Sequence, residues 1–176
     1  MLAKTAITAA LFASSVNPGF AGQHTSTAAQ KQVASYWVAK HPGYRIATDK
    51  DCACEEELHK IREEGYGGRW KPVPYYHPYT VAGDFNGDGE LDFAVAVLRT
   101  KVSHEFKILV FNGPIRLHEA PSVLEMDGSI AGVGLFYGPP RPKPYRLVVS
   151  AFESEGDVLV PKGRTYRVEP ISSENE

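Results

Sequence analysis

Apolar and polar positions along the chain change period twice. Thr27-Ala28-Ala29-Gln30 has the form of a capping box, a hydroxyl followed three residues later by Gln. Val33, Tyr36, Trp37 and the stem of Lys40 then keep helical spacing until His41-Pro42-Gly43 stops it. The spacing predicts an amphipathic helix that docks Tyr36 and Trp37 on the core. A second helix is predicted from near Asp51. Glu55, Glu56 and Glu57 fall in its early turns, where negative charge favours the dipole; Lys60 and Arg62 follow, and Gly65 ends it. Cys54, Leu58 and Ile61 share one face, so Cys54 is expected to point inward and Cys52 outward. From Gly67 the texture changes to Pro72, Pro74 and Pro78 interleaved with Trp70, Tyr75, Tyr76 and Tyr79. Prolines at that density predict an extended connector or an edge, not a central strand.

Beyond this connector the signals are those of strands. Tyr79 to Gly83, Phe93 to Leu98 (a nearly continuous apolar run) and Phe106 to Phe111 come first, the last two joined by a turn near Lys101 to Glu105. Ala131 to Tyr137, Tyr145 to Phe152, Val158 to Val160 and Thr165 to Val168 follow, with short turns at Glu155-Gly156-Asp157 and Pro161-Lys162-Gly163. Helices first and strands afterwards predict an α+β class, with two N-terminal helices packed on a mainly antiparallel β-sheet.

The first 21 residues follow neither pattern. Lys4 gives a short positive start, Thr5 to Val16 is uncharged and Ala-rich, Asn17-Pro18 breaks it, and Gly19-Phe20-Ala21 supplies small residues at a cleavage site. That is the layout of a secretory signal peptide; a mobile arm or a membrane anchor is the alternative, although the run is short for a membrane span. The expected organisation is a signal peptide at 1–21, one domain at 22–171 and a frayed polar tail at 172–176. The mature protein is accordingly expected to be secreted or periplasmic, with no membrane span. A net charge of -2 with both signs interspersed leaves no basic stripe, which argues against nucleic acid as a partner. A domain of about 150 residues buries roughly 68–70% of its unfolded surface, so stability alone requires neither metal nor disulfide.

One loop carries chemistry. With Asp84 as position one, oxygen-bearing side chains fall at one (Asp84), three (Asn86), five (Asp88) and nine (Asp92), and Gly89 stands at six. Calcium takes six to eight oxygens, and alternate side chains on a tightly curled loop can converge on it. Glu90, at seven, would contribute its backbone carbonyl. The stretch resembles the calcium loops of FG-GAP repeats, Asp-x-Asp/Asn-x-Asp-Gly-x-x-Asp, and Val81-Ala82-Gly83 and Phe93 to Val97 supply the flanking strands. An EF-hand fits less well, because position twelve is Val95 where a bidentate Glu belongs. The resemblance implies a Ca2+-stapled hairpin; the spacing gives Asp84, Asn86, Asp88, Glu90 and Asp92 as the ligand set, and without a bidentate Glu the expected affinity is about 10⁻⁴ to 10⁻³ M. A single copy excludes a propeller. The alternative is a metal-free loop whose Asp and Asn side chains bond their own backbone.

Other candidates are less specific. Cys52 and Cys54 can form a tight bridge, stay a thiol pair or bind a soft metal. The six histidines, at 24, 41, 59, 77, 104 and 118, show no metalloprotease spacing, and no serine stands in a Gly-x-Ser-x-Gly elbow. The acid pairs Glu63/Glu64 and Glu153/Glu155 are adjacent or nearly so, as solvated carboxylates usually are. The connector and the stiff, basic segment Gly138 to Tyr145 offer Trp70, Tyr75, Tyr76, Arg141 and Tyr145 as partner contacts, or simply shield sheet edges. The expected function is an exported, non-enzymatic, calcium-stabilised domain that binds a protein or glycan. A cell-envelope hydrolase with carboxylates near the cation, and a redox or metal-handling protein built on Cys52 and Cys54, are the rivals.

Overall fold

A computed structural model of the chain describes residues 26–65, 71–101, 105–138, 146–152 and 156–171. The predicted signal peptide and the tail at 172–176 lie outside the described residues. Helix α1, Ala28–Lys40, opens on the capping box: Gln30 N–H donates to the Thr27 hydroxyl (3.3 Å) and Thr27 N–H to Gln30 Oε1 (2.7 Å). Two otherwise orphaned amides are satisfied reciprocally. Val33, Ala34 and Trp37 are buried, whereas Tyr36 stands half-buried at the rim, edge-on to His118 and under Lys40 Nζ.

The second helix begins later than its charge pattern predicts. A single 3-10 turn occupies Asp49–Asp51, and α2 runs only from Glu55 to His59 before loosening into a π turn at Lys60–Glu64, closed by Gly65 at φ 72. A disulfide joins Cys52 to Cys54 across Ala53, which takes φ 50, and no helical phase passes through that geometry. The outward position expected for Cys52 is therefore corrected. Cys52 is 0% and Cys54 4% exposed, both within the main apolar cluster.

The strands form two sheets where one was expected. In the first, β1 (Tyr44–Ile46), β3 (Asp92–Arg99), β4 (Glu105–Phe111) and β5 (Ser122–Asp127) lie in that order, and β2 (Thr80–Gly83) pairs with the other half of β3. The pairings are antiparallel, with Gly83 opposite Asp92 and Tyr44 opposite Arg99. The second sheet is a meander of β6 (Val133–Gly138), β7 (Arg146–Ala151), β8 (Gly156–Lys162) and β9 (Thr165–Pro170). Gly163 at φ 62 and Arg164 form the two-residue link between Lys162 and Thr165, the type II′ arrangement that suits strand twist.

The layers follow from which side chains meet. Phe93, Val95 and Val97 on one face of β3 pack with Leu109, Phe111 and the α1 residues Val33, Ala34 and Trp37. Ala94, Ala96 and Leu98 on the other face join Ile108, Leu124 and the second-sheet residues Leu135, Leu147 and Leu159, with Leu58 of α2 at the margin. Strand β3 is thus covered on both faces, which is why its sequence is an unbroken apolar run. The α+β architecture stands: two N-terminal helices against mainly antiparallel sheets. Among the described residues no helix is long and apolar enough to cross a membrane.

Candidate cation site and its surroundings

The loop of interest links β2 to β3, and the Gly83–Asp92 pair closes it. Inside it the chain curls around Asp84. Asp84 Oδ1 accepts from the amides of Gly87 (2.7 Å) and Asp88 (3.1 Å), and Oδ2 from that of Gly89 (2.9 Å). Asn86 Oδ1 accepts from Asp88 N–H (2.9 Å), Asn86 Nδ2 donates to Asp88 Oδ2 (3.0 Å), and Asp88 Oδ1 accepts from Glu90 N–H (2.8 Å). Gly89 takes φ 89, a left-handed turn that a side chain would strain. Backbone amides thus converge on the Asp84 carboxylate, and the Asn86 and Asp88 side chains bond within the same turn.

Asp92 behaves differently. Its side chain is fully buried; Oδ2 accepts from Phe85 N–H and Oδ1 from Gly113 N–H, both at 2.8 Å. Burial lifts its carboxyl to about 6; the two amides oppose that shift, and the negative charges of Asp88 and Asp84 add to it. Three carboxylates therefore share one neighbourhood, one of them without solvent.

The predicted ligand set is thus brought together in part. Asp84, Asn86 and Asp88 face the same turn, the Glu90 side chain is exposed, and Asp92 points into the interior. Among the described residues, no three His, Cys, Asp or Glu side chains are grouped so as to hold a metal ion. As it stands, the loop has the hydrogen-bond pattern of the metal-free alternative. The donor set nevertheless suits a hard cation chemically. A carboxylate oxygen has two acceptor positions, and each oxygen of Asp88, together with Asp84 Oδ2 and Asn86 Oδ1, accepts one hydrogen bond from the loop. Beside the loop lies a cleft of about 390 Å³, walled by Asn86 and Asp88 on one side and Asn112, Pro161 and Arg164 on the other.

Four residues that touch this site carried no local signal. The Tyr137 hydroxyl, on β6, donates to Asp84 O (3.1 Å), and Phe85 packs against the Tyr137 ring. The Tyr166 hydroxyl, on β9, donates to Asn112 Oδ1 (2.9 Å) with a longer contact to Asp92 Oδ2 (3.5 Å). Asn112 Nδ2 in turn donates to Arg164 O (2.8 Å), and Gly113 supplies the amide already named. Asn112-Gly113 is visible in sequence only as the end of a strand. Nothing in local spacing ties it to residue 92.

The remaining candidates are dispersed. Trp70, Arg141, Tyr145, Glu153 and Glu155 lie outside the described residues. Tyr75 is 70% exposed. Tyr76, expected as a partner contact, is instead in the core at 2% exposure, stacked on Phe136 (5.6 Å) and edge-on to Phe152 (6.4 Å). Val73 to Tyr76 form a turn closed by Tyr76 N–H donating to Val73 O (3.0 Å), which leaves Tyr75 at the exposed corner and turns Tyr76 into the core. Glu63 and Glu64 are exposed beside His59, at 3.7 and 3.5 Å. A polar cluster that the sequence did not signal pins the connector. Arg62, in the π turn, donates to Asp49 and to Tyr76 O, and His77 Nδ1 stands 3.2 Å from Asp49 Oδ1. No family model, no curated protein and no solved structure matches this chain.

Proposed function

We propose that this is an exported, non-enzymatic domain whose 84–92 loop binds calcium as a structural staple, and which meets a protein or glycan partner at the surface. What supports the cation reading is the state of Asp92. It is a fully buried carboxylate behind a turn that gathers the side-chain oxygens of Asp84, Asn86 and Asp88. A dication at the loop offsets the mutual repulsion of these neighbouring carboxylates. Asp84, Asn86 and Asp88 would hold the ion through side-chain oxygens and Glu90 through its carbonyl. Asp92 would act from behind the loop, through Phe85 N–H. The partner contact is Tyr75, since an exposed aromatic on a pinned, proline-rich segment loses little entropy on docking.

Calorimetric titration of the purified protein with calcium chloride, paired with thermal melts, tests the staple. A dissociation constant of about 10⁻⁴ to 10⁻³ M is expected. At about ten times that concentration the ion adds roughly 1.4 kcal/mol of stability. Asp88→Asn keeps the shape of the side chain, removes one charge and should lose most of the effect. No heat and no shift in melting temperature with the wild-type protein would end the cation reading.

A further inference from the structure

The chain passes from the first sheet to the second once, through residues 128–132, with Gly128 at φ 97 and Gly132 at φ 71. At that end Gly132 N–H donates to Cys52 O (2.6 Å). The opposite end of the second sheet holds Tyr137, near the end of β6, and Tyr166, near the start of β9; the strand register places both at the end away from Gly132. Both hydroxyls reach the acidic loop and its immediate support. One donates to Asp84 O, and the other to Asn112 with its longer contact to Asp92. The Tyr137 ring also lies against Gly83, where an added Cβ would sit 2.7 Å from it.

The geometry points to a latch: the 84–92 loop fastens the free end of the second sheet to the first through Tyr137 and Tyr166, so that cation binding at the loop tightens that end of the second sheet. This inference rests on the cation reading for its trigger, but the latch itself is built from hydrogen bonds that need no ion. Asp92 is its centre. One oxygen holds the loop through Phe85 and the other holds the end of β4 through Gly113, while Tyr166 reaches the same carboxylate from the second sheet. Whatever reorganises Asp92 alters its bonds to Phe85 and Gly113 together, and Gly113 adjoins the Asn112 that seats Tyr166. Coupling of this kind is reciprocal: if the ion tightens the latch, breaking the latch weakens the ion by the same factor.

Native-state hydrogen exchange on Tyr137→Phe, Tyr166→Phe and the double variant tests it, with and without calcium chloride. Each substitution removes one hydroxyl and keeps the ring. Protection at the amides of residues 136, 147, 159 and 167 should fall about tenfold in the double variant, the effect of losing a hydrogen bond or two, while the middle of β3 and β4 stays protected. Calcium should raise protection at the same amides in the wild type, and its affinity should drop in the double variant by the factor that protection gains. An equal loss across both sheets, or none at all, overturns the latch. If the wild type binds calcium but the protection of the second sheet does not move, the transmission fails and the cation reading stands. If the wild type binds no calcium, the cation reading and the transmission fall together, and the first arm still judges the latch.

Discussion

Replacing Tyr76 by Phe should stabilise the protein. The Tyr76 hydroxyl is buried and finds no hydrogen-bond partner among the described residues. Its surroundings are apolar: it lies close against Gly134, with Phe136 and Phe152 packed on the ring. The same burial pushes its ionisation well above the ordinary tyrosine value. An unpaired buried hydroxyl costs about 1–3 kcal/mol by protein mutational measures. Removing it leaves a gap smaller than a methyl group, whose lost contacts offset part of that gain. A net gain of about 1 kcal/mol is expected, a rise of about 2–4 °C in melting temperature for a domain of this size. Urea unfolding should show a higher midpoint with an unchanged slope, which separates a stability change from a change in surface exposure. Tyr76→Ala supplies the control, since losing the ring should cost about 3–5 kcal/mol. A Phe variant less stable than wild type by about 1 kcal/mol or more would mean that the hydroxyl is satisfied in the folded protein, and the reasoning would fail.

Two further substitutions probe the frame around the site. Gly83→Ala should cost about 1–3 kcal/mol in urea unfolding, because its Cβ would lie 2.7 Å from the near ring atoms of Tyr137, which cannot swing away without breaking the bond to Asp84; a neutral result would show that the ring is not held there. Asp51→Asn should destabilise the protein by about 1 kcal/mol at neutral pH, discounted because Arg45 is half exposed. Arg45 and then Thr48 hold the Asp51 carboxyl well below the ordinary range, although burial opposes them. A depressed carboxyl stabilises the fold above its unfolded value, and that contribution is lost as pH falls from about 4 toward the folded value. The gap between wild type and variant should therefore close in melts at acid pH, and a gap that widened would refute the assignment.

Much of the fold was legible because it is local. The Thr27–Gln30 capping box, the helical spacing of α1 and the apolar run of β3 each depend on residues within one or two turns of each other. The misses share a different cause. Strand β1 is only Tyr44-Arg45-Ile46 and exists because the far end of β3 offers it Arg99, Leu98 and Val97 as partners. Strand β5 alternates properly, with Leu124 and Met126 inward and Glu125 outward, but exposed Val123 blurs the period. The second helix was expected to start too early because Asp51 and the following acids look like a first turn, while the Cys52–Cys54 bridge forbids one. Two sheets replaced one because the bend at Gly128–Gly132 turns the chain onto a new layer, and turn residues do not say in which direction they turn it.

The acidic loop illustrates the same boundary within nine residues. Its alternation of Asp, Asn, Asp and Gly is a local code, and the curl around Asp84 follows from it. Position nine is where the code stops being sufficient. From spacing alone Asp92 is one more ligand; in the fold it is the first residue of β3, opposite Gly83, and its carboxylate meets groups 21 and 74 residues further along the chain. Those partners, Gly113 and Tyr166, arrive only when β4 and the second sheet are in place. A side chain that must satisfy both a local loop and a distant layer carries information from one to the other, and its charge state is set by both. Neutralising Asp92 should therefore do more than weaken a loop. It should loosen the seam between the sheets, a consequence that no reading confined to residues 84–92 contains.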